Sequence, residues 1–161
     1  KTLRVTCMIM MILLAGTMYA GVFMASGGIR MAEQFVAFAQ LGPWMLLGLF
    51  LFLAFLAGFI LEWISILLIL IPIFMPLLKA AGFNPVWVCI LFLVMIQTSY
   101  ITPPMAPAIF YLRGISPPEI TIQHMYKGVV PFIGLQILTG IIVMIFPETV
   151  LWLPEKLLSF R

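Results

Sequence analysis

Long apolar runs, each closed by a short polar or helix-breaking cluster, set the layout of this chain. From Val5 to Ala25 no charged residue occurs, and about 20 such residues carry a helix through a hydrocarbon core about 30 Å thick. Ser26-Gly27-Gly28 closes the run. Ile29 to Leu41 then mixes Arg30, Glu33, Gln34 and Gln40 with apolar residues, Phe35 and Phe38 sharing a face, which is the pattern of an interfacial helix. The next apolar stretch, Pro43 to Leu78, admits only Glu62 and Ser65 as strongly polar groups. As one helix rising about 1.5 Å per residue it would reach roughly 54 Å, well past the core. A re-entrant helical hairpin with its tip over 58–65 removes the excess, because Gly58, Glu62 and Ser65 fall at mid-run. Pro72 and Pro76 in the second arm each delete a backbone donor.

Gly82 is placed as a helix stop and Asn84-Pro85 as the next start. Val86 to Ile96 reaches only about 16 Å, half a membrane. Regular hydrogen bonding is then expected to fail from Gln97 to Pro104, where Thr98, Ser99 and Thr102 precede two adjacent prolines, and to resume over Met105 to Leu112. Ser116-Pro-Pro-Glu119 has capping-box spacing and opens a polar connector holding Lys127 and His124, the latter read as a surface residue. Gly128 to Phe146 is a last span, and Pro147 to Arg161, with Trp152, Glu155 and Lys156, suits an interfacial tail. Four segments follow: 1–42, a transmembrane helix with its connector; 43–80, the hairpin; 81–127, a discontinuous helix with an amphipathic connector; and 128–161, the last helix and tail.

Composition fixes the solvent. With 65% hydrophobic and 8% charged residues and a mean hydropathy of +1.26, the fold class is an all-α polytopic integral membrane protein. The net charge of +3 comes from scattered Lys and Arg without a basic run, so nucleic acid is not an expected partner, whereas membrane lipid is. Positive charges divide evenly between the two sides of this topology, leaving orientation open. Cys7 and Cys89 sit in apolar runs as small hydrophobes, without metal-ligand spacing. No nucleophile–base pair, phosphate loop or metal cluster is legible, so the chain is not expected to be an enzyme or to hold a cofactor. Lys1 and Arg4 before the first run imitate a secretory leader. That run is too long for one, and with no initiator Met the sequence is expected to begin inside a longer polypeptide.

Irregular backbone survives at membrane depth only inside protein or beside water, so the two interruptions, 58–65 and 97–104, suggest a small-solute or ion site. Taken alone, Glu62 reads as an interfacial carboxylate, whereas two prolines with three hydroxyl residues exceed what an ordinary kink needs and read as a functional break.

Gly58-Phe-Ile-Leu-Glu62, Pro72-Ile-Phe-Met-Pro76, Gly82-Phe-Asn-Pro85, Thr102-Pro103-Pro104, Pro131-Phe132 and the closing Phe146-Pro147…Trp152-Leu153-Pro154 occur in one order. Together they resemble the carboxyl-terminal portion of the large membrane subunit of tripartite ATP-independent periplasmic (TRAP) transporters, over most of 43–154. The resemblance implies an elevator-type transporter of inverted repeats, this chain being the second. It implies sodium as coupling ion, a periplasmic substrate-binding protein, a small membrane (Q-type) subunit, an organic acid substrate such as a sialic acid, C4-dicarboxylate or 2-oxo acid, and the bacterial inner membrane. The implied sodium ligands are Gly58, Glu62, Gln97, Thr98, Ser99, Thr102 and Met105, with Ser65, Pro103 and Pro104 toward the substrate cavity. Met105-Ala106 departs from the family, which commonly carries glycine soon after Thr-Pro-Pro. Two other readings stand beside this one: an elevator-type ion-coupled carboxylate carrier without a binding protein, and a non-transporting membrane scaffold subunit.

Overall fold

A computed structural model describes residues 2–103, 106–117 and 119–158, all α-helix and connection, with no strand among them. The helices are α1 (Thr2–Ala25), α2 (Gly28–Phe38), α3 (Pro43–Ala57), α4 (Trp63–Ala80), α5 (Pro85–Ile101), α6 (Pro107–Ile115), α7 (Ile122–Ile145) and α8 (Glu148–Leu158). Among the described residues α1, α4 and α7 are long and apolar enough to cross a membrane. The α2–α3 pair, bent by 120°, would make a fourth span if counted as one. The protein is therefore an all-α polytopic membrane protein.

Local chemistry accounts for most boundaries. At the end of α2, Gln40 takes a left-handed backbone (φ 48°), and Leu41 N–H reaches back to Val36 O at 3.2 Å. The end of α4 repeats this closure with Gly82 (φ 92°) and Phe83 N–H on Leu78 O at 3.1 Å, which satisfies carbonyls that a helix terminus leaves open. Asn84 then caps α5, its Oδ1 accepting from Val86 N at 2.9 Å and Trp87 N at 3.5 Å. Pro85 opens the helix where no donor is needed. The stop at Gly82 and the start at Asn84-Pro85 thus stand where the sequence put them.

The chain forms two compact units: Lys1–Ala54 with Leu61–Phe83, and Phe55–Ile60 with Asn84–Arg161. In the first, α1 packs on α4. Gly16 makes this close approach possible, since a Cβ there would fall 2.8 Å from Leu68 Cβ. Two ring pairs join α3 to α4 and the segment after it: Trp44 meets Phe83 edge to face at 5.3 Å, and Phe50 meets Phe74 at 5.1 Å. The first pair puts the start of α3 beside Phe83, three residues past the end of α4. Leu46, Leu47, Phe50, Leu51 and Ala54 of α3 are buried.

In the second unit α5 packs against α6, α7 and α8. Pro147 cannot donate to Val143 O one turn back. The indole N–H of Trp87 occupies that carbonyl at 2.7 Å, joining the start of α5 to the end of α7. Ala106, Ile109 and Met125 form a small core with Tyr126 and Val129 where α6 meets α7.

Three expectations on boundaries are corrected. The helix α5 continues through Gln97 to Ile101, so the described break opens at Thr102, not Gln97. Pro103 denies helical backbone to the residue before it, and Thr102 is accordingly extended (φ −89°, ψ 132°), whereas residues 97–101 keep their own N–H donors. Ser116 does not begin the next helix. Its Oγ donates to Leu112 O in α6, while Thr121 caps α7 by accepting from His124 N at 3.3 Å. His124 and Lys127 therefore belong to α7, which starts at Ile122 and not at Gly128. Ser65 lies inside α4, and the turn between the arms is confined to 58–62.

Candidate functional site

The second unit contains the polar interior. Among the described residues the buried polar side chains are Thr98 and Ser99, consecutive in the last turn of α5. Each hydroxyl settles its proton on the helix: Ser99 Oγ donates to Ile96 O at 2.7 Å, and Thr98 Oγ1 to Val94 O at 2.7 Å. Thr102 Oγ1 likewise donates to Thr98 O at 2.6 Å. This matters at a break. Thr102 N–H bonds to Ser99 O, in a tight 3.2 Å turn, so the Thr98 carbonyl loses its helical donor and the threonine hydroxyl replaces it. A hydroxyl that donates inward still exposes lone pairs, the part of the group a hard cation uses.

The turn 58–60 closes on this same end of α5. Gly58 is buried, and a Cβ built on it would lie 2.7 Å from Ser99 Cβ and closer still to its Oγ. No side chain fits there. Gly58 thus brings backbone directly onto the Ser99 side chain, and Phe55 and Phe59 stack edge to face at 4.8 Å to hold the turn.

Beyond the break, Ala106 is fully buried and left-handed (φ 32°, ψ 62°), a backbone that glycine adopts without steric penalty. Its N–H bonds to Thr102 O at 3.2 Å and its carbonyl accepts from Ile109 N at 2.9 Å, so it joins the Thr102 turn to α6. Farther on, Arg113 Nη1 donates to Pro117 O at 3.3 Å and Ile120 O at 2.5 Å, closing the connection toward α7.

Of the residues named from sequence, Gly58 and Ser99 are in contact, Thr98 precedes Ser99 in the last turn of α5, and Thr102 caps that helix with its hydroxyl on Thr98 O. Gln97 is on that turn with an exposed side chain, which leaves its backbone as the part near the break. Pro103 is exposed beside it. Pro104 and Met105 lie outside the described residues. Glu62 and Ser65 fall in the first unit: Glu62 is exposed at the start of α4 without a side-chain capping bond, and Ser65 lines a pocket between α1 and α4 with Ala15, Gly16 and Tyr19. One residue was missed. Gln136 of α7 places Oε1 3.0 Å from Thr98 Oγ1. The signal that could have found it is an amide inside an otherwise apolar span.

Among the described residues no three His, Cys, Asp or Glu side chains gather. The oxygens around the Thr98–Thr102 turn are neutral, a donor set that fits an alkali cation better than a transition metal.

The long apolar helices and the proline-broken α5 lined by hydroxyls define the class as an all-α polytopic membrane protein. The family model described as "Tripartite ATP-independent periplasmic transporter, DctM component" matches residues 1–149, and the chain belongs to that family. The match includes α1 and α2, which the resemblance read from residues 43–154 had left out. The chain is 28% identical over 130 residues to the sialic acid TRAP transporter large permease protein SiaM of Vibrio cholerae, covering 81% of this chain and 30% of that protein. It is 28% identical over 154 residues to the C4-dicarboxylate large permease DctM of Pseudomonas aeruginosa, 96% of this chain and 36% of that one. It is 32% identical over 107 residues to the ectoine large permease TeaC of Halomonas elongata, 66% of this chain and 24% of that one. It thus spans about a quarter to a third of the curated relatives it matches. No solved structure matches it significantly.

Proposed function

We propose that this chain is the second-repeat portion of a TRAP-type large permease in the bacterial inner membrane, and that it carries a sodium site for the coupled uptake of an organic acid. A periplasmic binding protein would deliver the substrate and a small membrane subunit would brace the permease. The observation that carries this reading is the seating of Gly58 on Ser99 beside the Thr102 break. It brings two irregular backbones together at the buried hydroxyl pair, without a carboxylate.

In that arrangement the carbonyls around Gly58 and of the last α5 turn, with the Thr102 hydroxyl and Thr98, would hold the ion, which supplies positive charge to the cavity when bound. A proline-enforced break suits this task because its carbonyls lack helical donors yet stay fixed by the flanking helices. In this reading α3 and α4 enter and leave the bilayer on one face as a re-entrant hairpin. The ring pairs Trp44–Phe83 and Phe50–Phe74 support that topology, and the same face should be reached by water-soluble thiol reagents at cysteines placed at 43 and 79. Labelling from opposite sides would defeat it.

The test of the ion site is sodium-dependent uptake by the complete permease, reconstituted with its partners. Thr102→Val keeps the shape and removes an oxygen. It should raise the half-saturating sodium concentration about three- to tenfold at unchanged membrane insertion, the range expected from one lost oxygen contact. Unaltered sodium dependence would withdraw Thr102 as a ligand. Uptake that needs no binding protein would favour an elevator-type carrier of another kind, and loss of no uptake on altering any of these residues would favour a scaffold.

A further inference from the structure

Gln136 is a long polar side chain in the middle of an apolar helix, where an amide without a partner is costly. Its partner is Thr98, at 3.0 Å, and Thr98 is itself buried beside Ser99. The Thr98 hydroxyl has one proton, and the Val94 carbonyl at 2.7 Å takes it. Two acceptor oxygens cannot share that proton equally, and a carboxamide presents either end by rotating about its last bond. The chemistry is satisfied when the Gln136 amide turns its N–H toward Thr98, which then donates along α5 and accepts from α7. Both bonds together leave the hydroxyl one way to point.

We propose that Gln136 is a positioning residue for the ion site: it fixes the remaining lone pair of Thr98 toward the break and holds α7 to that turn of α5. This inference rests on the sodium reading above. It extends it to a residue outside both irregular segments, whose contribution is orientation and not ligation. In the first half of α5, Trp87 also bonds across to α7, to Val143 O, so these two bonds lie at separate heights along the helices. The Trp87 bond fills a carbonyl freed by proline, whereas the Gln136 bond reaches a hydroxyl one turn before the break.

The experiment measures sodium-dependent uptake by the complete permease with its partners, varying sodium at saturating substrate and then substrate at saturating sodium. Gln136→Met keeps length and apolar packing and removes the amide. It should raise half-saturating sodium roughly three- to tenfold while leaving half-saturating substrate and the amount of inserted protein unchanged. Thr98→Val should shift sodium dependence similarly, and the double variant should shift it no further than the larger single, because one change removes the Thr98 oxygen and the other only its orientation. Should Gln136→Met fail to accumulate, Gln136→Asn, which draws the amide back by one methylene, should show the same shift at smaller size. An unaltered sodium dependence in the inserted variant, or shifts that multiply in the double variant, would overturn the proposal while wild-type sodium dependence stands. Wild-type uptake indifferent to sodium would overturn it together with the sodium reading.

Discussion

Pro72 and Pro76 lie inside α4, which runs without interruption from Trp63 to Ala80, whereas Pro103 and Pro104 follow the end of α5 and the next helix opens only at Pro107. The number of prolines is equal, so their spacing decides the outcome. A proline one turn after another removes donors to two carbonyls on one side, here Leu68 and Pro72, and the remaining ladder keeps the helix going. Adjacent prolines act on consecutive residues: Thr102 and Pro103 each precede a proline, and each is driven away from helical backbone. Spaced prolines give a compliant helix. Paired ones give an obligatory break, and the hydroxyl residues just upstream make that break polar.

The largest effect should come from erasing this difference. Replacing both Pro103 and Pro104 by alanine restores two donors, and sodium-dependent uptake should fall more than about tenfold as α5 becomes free to continue. Replacing Pro72 and Pro76 by alanine should change uptake less than about threefold. Equal losses from the two double variants would show that spacing is not what separates them.

Gly58→Ala comes next, because the new Cβ must displace Ser99. Uptake or insertion should drop several-fold, in line with about 1–3 kcal/mol for a forced contact in a packed interior. Ser99→Gly in the same chain removes the opposing Cβ and should recover part of the loss, measured as surviving protein after heating in detergent. An absence of recovery would place the defect somewhere other than this contact.

Trp87→Phe keeps a ring and deletes the indole donor to Val143 O, a carbonyl orphaned by Pro147. Detergent-solubilised protein should lose about 1 kcal/mol. Pro147→Ala returns a backbone donor and should make the Trp87 change milder; independence of the two substitutions would reject the account. The smallest effect is a gain. At the left-handed Ala106, glycine relieves steric cost, so Ala106→Gly should stabilise the protein by about 1 kcal/mol or less and leave uptake intact.

What could be read from the chain alone was what near neighbours enforce. Apolar length separated α1, α4 and α7 from the connectors; Gly82 and Asn84-Pro85 placed a stop and a start; Thr102-Pro103-Pro104 forced a break, because each of these acts through backbone sterics and donors within a few residues. The same locality explains the errors. Ser116 and Thr121 both offer a capping oxygen, and the Arg113 bonds across 117–120 lie with the chosen arrangement, which starts α7 six residues before Gly128 as counted from Ile122. Only tertiary structure could decide that Gly58 meets Ser99, that Gln136 meets Thr98, or that Trp87 fills the carbonyl left by Pro147. These partners are far apart in sequence, and their union depends on how apolar helices with little periodic preference of their own pack side by side. Local chemistry made the polar break; packing determined which groups face it.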